Sequence, residues 1–102
     1  MKGTLSDMKS YFITSLVKNG LIGGGLLLDD RAVTYKTNKL TVDPKYRNLV
    51  LPHEQIASMA WKRILFPIAT FQMKNGETYA YLIFNQKRFD RCYAEMTAAQ
   101  MP

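Results

Sequence analysis

Ile68-Ala69-Thr70-Phe71-Gln72-Met73-Lys74-Asn75-Gly76-Glu77-Thr78-Tyr79-Ala80-Tyr81-Leu82-Ile83-Phe84 is the stretch on which the fold turns. Asn-Gly between two runs rich in aromatic and β-branched residues is a strong hairpin signal, because a type I′ turn needs φ > 0 at both central residues. The spacing predicts strands over Ile68–Lys74 and Glu77–Phe84. The return strand carries apolar groups at both parities, Tyr79, Tyr81 and Ile83 against Ala80, Leu82 and Phe84, which predicts a central strand covered on both faces. Next comes Asn85, a good N-cap, and then Phe89, Cys92, Tyr93 and Met96 at the spacing of an amphipathic helix. That helix is the expected cover for the outer face of the strand.

Working towards the N-terminus, Ile56–Arg63 alternates so that Ala57, Met59 and Trp61 share a face, and Pro67 belongs at a strand start or an edge because it cannot donate to a ladder. Asn48–Leu51 is a short strand closed by Pro52, preceded by the longest loop, 38–47, where Pro44 holds Asp43 extended. Ala32–Thr37 alternates, Asp29-Asp30 makes a tight turn, Gly23-Gly24-Gly25 leads into Leu26-Leu27-Leu28, and Lys18-Asn19-Gly20 separates these from the strand Ser10–Val17. Seven consecutive strands followed by one helix argue an antiparallel sheet with the helix closing one opening. The domain is expected over 10–97, with 1–9 as a tail or edge extension and 98–102 as a C-terminal tail.

Composition agrees with one folded unit. At 102 residues there is room for a single domain, and 47% hydrophobic with 22% charged residues is far from a disordered composition. A lone cysteine, Cys92, excludes an internal disulfide and a multi-thiolate metal site and fits a reducing, cytoplasmic compartment. No run approaches the ~18 to 20 apolar residues of a membrane span, and no export signal is legible near Lys2. Fourteen Lys plus Arg against eight Asp plus Glu give +6 and favour an anionic partner.

The order of motifs resembles one family. Gly23-Gly24-Gly25-Leu26-Leu27-Leu28-Asp29-Asp30-Arg31-Ala32-Val33 is similar to the glycine-leucine signature of GRAM and bacterial PH-like domains, Leu49–Ile56 looks like their following strand segment, and Met73–Tyr79 resembles their Lys-Asn-Gly hairpin. The resemblance covers roughly residues 10 to 97, with Asp29 where the family usually has Thr and with Phe89 or Tyr93 where it often has Trp. It implies a PH-like β-sandwich or half-open barrel capped by a C-terminal helix, an adaptor that binds membrane lipids or protein segments, and no catalysis.

Candidate functional residues are few. Gly23 to Gly25 precede leucines rather than Gly-Lys-Ser/Thr, so they read as a site for a bulge or sharp bend, not as a phosphate cradle. His53, the only histidine, has no metal-ligating or catalytic companions at useful spacing and reads as a solvent-facing loop residue; Cys92 and Trp61 read as core. No cofactor, metal or catalytic group is expected. In a meander the first and third connections share an end of the sheet, which gathers Lys18, Lys36, Lys39, Lys45 and Arg47 against Asp43 alone. The other end holds Asp29, Asp30 and Glu54 against Arg31. By analogy with the family, the last hairpin would add Lys74 to the basic end. Lys87, Arg88 and Arg91 in the first helical turns oppose the helix dipole; they read as solvated before they read as an anion site at the helix N-terminus.

Two functions of different class follow. One is weak peripheral attachment to anionic lipid headgroups through the five basic residues of the first end, at about 1 kcal/mol per cation before screening. The other is a protein-interaction adaptor or homo-oligomer using a sheet edge or the groove beside the helix. Nucleic acid is disfavoured, because the tyrosines that would stack on bases occupy strand positions.

Overall fold

Alternate residues of Lys9–Val17 (β1) turn Phe12, Thr14 and Leu16 inward and leave Tyr11 and Ile13 outside, as the two-residue period of a strand requires. In the computed structural model, which describes residues 9–63 and 65–98, six further strands follow: Leu21–Asp29 (β2), Ala32–Lys36 (β3), Asn48–Pro52 (β4), Ile56–Arg63 (β5), Pro67–Met73 (β6) and Thr78–Leu82 (β7). One helix, Gln86–Ala98 (α1), ends the fold. All neighbours are antiparallel, in the order β4-β3-β2-β1-β7-β6-β5. Of the flanking segments, Lys9 already belongs to β1 and Ala98 to α1. The rest of the 1–9 and 98–102 tails lies outside the described residues.

The sheet stays open between β4 and β5 but curls until its halves meet. Tyr35 of β3 lies 5.4 Å, centroid to centroid, from Tyr81 of β7, although β2 and β1 stand between those strands in the sheet. Tyr81 in turn meets Phe71 of β6, and Phe71 meets Phe89 and Tyr93 of the helix. Phe89 also contacts Phe12 and Trp61, so one helical side chain joins β1, β5 and β6. Asn85 caps the helix as its sequence predicts, its side-chain oxygen accepting from the Arg88 N–H at 3.4 Å.

Four expectations need correction. The helix packs inside the curled sheet, its Phe89 against Phe71 of β6, the ring that Tyr81 of β7 also meets, while on the opposite parity Leu82 is buried and Phe84, beyond β7, is exposed. The Asn75-Gly76 hairpin is present, but only Gly76 has positive φ (94°); its N–H bonds the Met73 carbonyl at 3.0 Å, a type I turn closed by one glycine. The doublet with φ > 0 at both residues is Asn19-Gly20 instead.

The third correction concerns the glycines. β1 and β2 pair without interruption from Lys9↔Asp29 to Val17↔Leu21, so Gly23 to Gly25 hold no bulge; the register shift falls between Ile56 and Ser58. Gly24 serves close approach. A Cβ there would stand 2.4 Å from the Lys36 carbonyl and 2.9 Å from the Tyr35 ring, whose hydroxyl donates to the Ile22 carbonyl at 2.6 Å. Fourth, His53 is buried, only 8% exposed, with Nε2 2.7 Å from the Asp29 carbonyl and its ring edge-on to Tyr93. It fastens the β4–β5 connection to the β2–β3 turn. That turn is itself closed by Asp29, whose Oδ1 accepts from the N–H groups of Arg31 and Ala32 at 2.9 Å, the work a Thr hydroxyl could also do.

Cys92 and Trp61 are half-buried against the core rather than fully inside it. Cys92 accepts from the Ser10 hydroxyl at 3.4 Å, and the Trp61 indole N–H donates to Asp90 at 2.5 Å.

Candidate functional site

The loops that follow β1 and β3 converge on one ring, that of Tyr46. Pro44–Tyr46 forms a single 3-10 turn because Pro44 supplies the right φ at its start and Asp43 caps it, Oδ1 accepting from the Lys45 N–H at 3.0 Å. The turn sets Tyr46 half-buried against the core. Lys18 Nζ lies 4.6 Å and Lys45 Nζ 5.4 Å from the ring centroid, so both ammonium groups gather on its π system. A groove of about 570 Å³ opens beside the ring, walled by Lys18, Leu21, Thr41, Val42 and Asp43.

The five basic residues of the sequence reading therefore divide. Lys18 and Lys45 meet. Arg47 is spent on the loop itself, its Nε donating to the Val42 carbonyl at 3.0 Å and its Nη2 to the Leu40 carbonyl at 2.9 Å. Lys36 lines a separate shallow groove with Gly24, Gly25, Thr37 and Asn38, and Lys39 is exposed on the 38–47 loop. The β6–β7 hairpin does approach this corner, but the group it brings is Glu77, 3.5 Å from Lys45. The Asn75 side chain, then the Tyr79 hydroxyl and Lys45, hold the Glu77 carboxyl below its ordinary pKa.

Sequence reasoning missed two residues here, Leu21 and Leu40. They are 61% and 79% exposed, one beside each lysine-bearing turn. The legible signal was a leucine directly following Lys39 in a loop rich in charged and turn-forming residues.

Of the second basic group, Arg88 is half-buried and engaged rather than simply solvated. Its guanidinium stacks 4.2 Å over the Phe12 ring and donates to the Tyr11 carbonyl at 2.9 Å. Lys87 and Arg91 are exposed. No helix among the described residues is long and apolar enough to cross a membrane.

Seven antiparallel strands in a curled open sheet, plugged by a C-terminal helix, have counterparts among solved structures. The C-terminal domain of an unknown protein from Leishmania infantum superposes with a TM-score of 0.64 at 13% identity, over 88% of this chain and 80% of that one. The N-terminal PH domain of Vps36 superposes with a TM-score of 0.55 at 16% identity, over 94% of this chain and 82% of that one. The fold is PH-like. At these identities the likeness is one of fold. No family model matches the chain, and no curated protein sequence does.

Proposed function

We propose that this PH-like domain is a non-catalytic binding module that attaches peripherally to anionic membrane surfaces through the corner around Tyr46. The observation that carries the reading is that Lys18 and Lys45 meet at the Tyr46 ring beside a groove walled by the exposed Leu21, with a second exposed leucine, Leu40, next to Lys39 in the same 38–47 loop. Cations near an anionic leaflet contribute about 1 kcal/mol each, and a leucine dipping into the interface adds an apolar term that salt does not screen. Asp43 and Glu77 temper the field, so attachment is weak and reversible. The likeness of the Gly23–Val33 segment to GRAM and bacterial PH-like domains goes with the same reading.

Co-sedimentation with vesicles of phosphatidylcholine alone and with added phosphatidylserine tests it. Binding is expected only to the anionic vesicles and is expected to fall about fivefold for Lys18→Ala, the equivalent of one lost cation. Equal binding to both vesicle types would overturn the proposal.

A further inference from the structure

A second surface, at the other end of β1, has no part in that reading. Ile13 is 90% exposed and Phe84 66%, both lining one groove, and Phe66 meets Phe84 edge to face at 5.4 Å. Single exposed apolar side chains are ordinary, but a cluster of them points to an interaction site. A groove of about 410 Å³ runs through the cluster, floored by Phe12 and Ile83 and walled by Tyr11, Ile13, Phe84 and Arg88.

The groove lies along an open sheet edge. β1 pairs with β7 only at Ser15 and Leu16, so among the described residues 9–14 have a strand partner on the β2 side alone. The Tyr11 carbonyl accepts from Arg88 and so points away from β2, and Ile13, two residues on, turns its backbone N–H and C=O to the same side. The rim is cationic. Lys87 and Arg88 stand on the first turn of α1, and Arg63 joins them through a hydrogen bond from its guanidinium to the Gln86 side chain. Among the described residues, Asp90 on the same helix is engaged by the Trp61 indole.

We propose that this groove binds an extended segment of a partner protein in which apolar and acidic residues alternate. The segment pairs with β1 at Ile13, sets its apolar side chains against Phe84 and Ile13, and turns its carboxylates to Lys87 and Arg63, with Arg88 already engaged at the Tyr11 carbonyl. Charge and shape select this occupant over the others. A second copy would press one cationic rim against another, and a bilayer offers no strand to an open edge. The inference does not depend on the Tyr46 corner. If both sites act, the domain holds a membrane at one end of β1 and a protein at the other.

Selection of a displayed library of random decapeptides on the wild-type domain tests the proposal. Recovered sequences are expected to alternate Asp or Glu with Val, Ile or Phe. They are expected to bind about tenfold more weakly to Ile13→Glu and to Phe84→Glu, and within about twofold of wild type to Lys45→Glu. Both changed side chains are exposed, and thermal melts of the variants verify that the fold is kept. No enrichment, enrichment without acidic bias, or binders indifferent to both variants would overturn the proposal. So would loss of vesicle binding in Ile13→Glu, which makes this face the bilayer contact, or a rise in mass with concentration that Ile13→Glu abolishes, which makes it a self-association face.

Discussion

Tyr81 is wholly buried, and its hydroxyl has no hydrogen-bond partner among the described residues. Burial, and then the neighbouring phenols of Tyr35 and Tyr79, raise its pKa. A buried hydroxyl that makes no bond costs free energy that a phenyl of the same shape avoids. Tyr81→Phe is therefore expected to leave the melting temperature unchanged or to raise it, by the equivalent of up to about 1 kcal/mol; a fall of more than 1 kcal/mol would contradict the assignment. Tyr79 differs. Its hydroxyl donates to Glu77 at 2.9 Å, and burial followed by that bond pushes its pKa from 10.0 up to about 12. The folded state holds this proton more tightly than the unfolded chain, so the stabilisation is intact below about pH 10 and is lost as pH climbs towards 12. Melting curves over that window are expected to show stability falling in the wild type and falling less in Tyr79→Phe. Gly24→Ala is expected to cost about 2 to 3 kcal/mol in urea unfolding, since the atom in its way is the Lys36 backbone carbonyl and cannot rotate aside.

At the scale of elements, the helix contributes most through Phe89. That ring is fully buried, and it touches Phe12, Trp61, Phe71 and Tyr93. Phe89→Ala is expected to cost about 3 to 5 kcal/mol, a large part of the roughly 5 to 15 kcal/mol available to a domain of this size. Near-UV circular dichroism should lose its aromatic signal at a temperature where the wild type keeps it. The stripe of Phe89, Cys92, Tyr93 and Met96 was legible because the period of a helix depends only on local geometry. Which face of β7 it would cover was not, because Ala80 and Leu82 carry the same apolar signal as Tyr79 and Tyr81. Likewise the glycine run announced an unusual backbone site, but only the neighbour across the sheet shows that the demand at Gly24 is for room beside Tyr35.

For the whole molecule, opposite ends of β1 differ in character. One end carries Lys18 beside the Tyr46 ring, and the other carries Tyr11 and Ile13 beside Arg88. Vesicle binding at the Tyr46 end is expected to weaken as ionic strength rises from about 0.05 to 0.3 M, because exposed charges are screened beyond a Debye length of about 8 Å near physiological salt. Leu40→Ser should weaken it further without changing the salt slope. A slope that changes with Leu40 would show that the leucine acts through loop geometry rather than through apolar insertion.

The chain by itself determined the number of strands, their places, the hairpin at Asn75-Gly76, the N-cap at Asn85 and the apolar stripe of the helix, all matters of period and turn chemistry among near neighbours. Only the tertiary structure decided that Lys18 and Lys45 share a ring while Arg47 serves its own loop, that His53 is buried, and that Tyr11 and Ile13 border an open edge. Those outcomes depend on how the sheet curls and where β7 leaves β1, and contacts between residues far apart in the chain leave no local pattern to read.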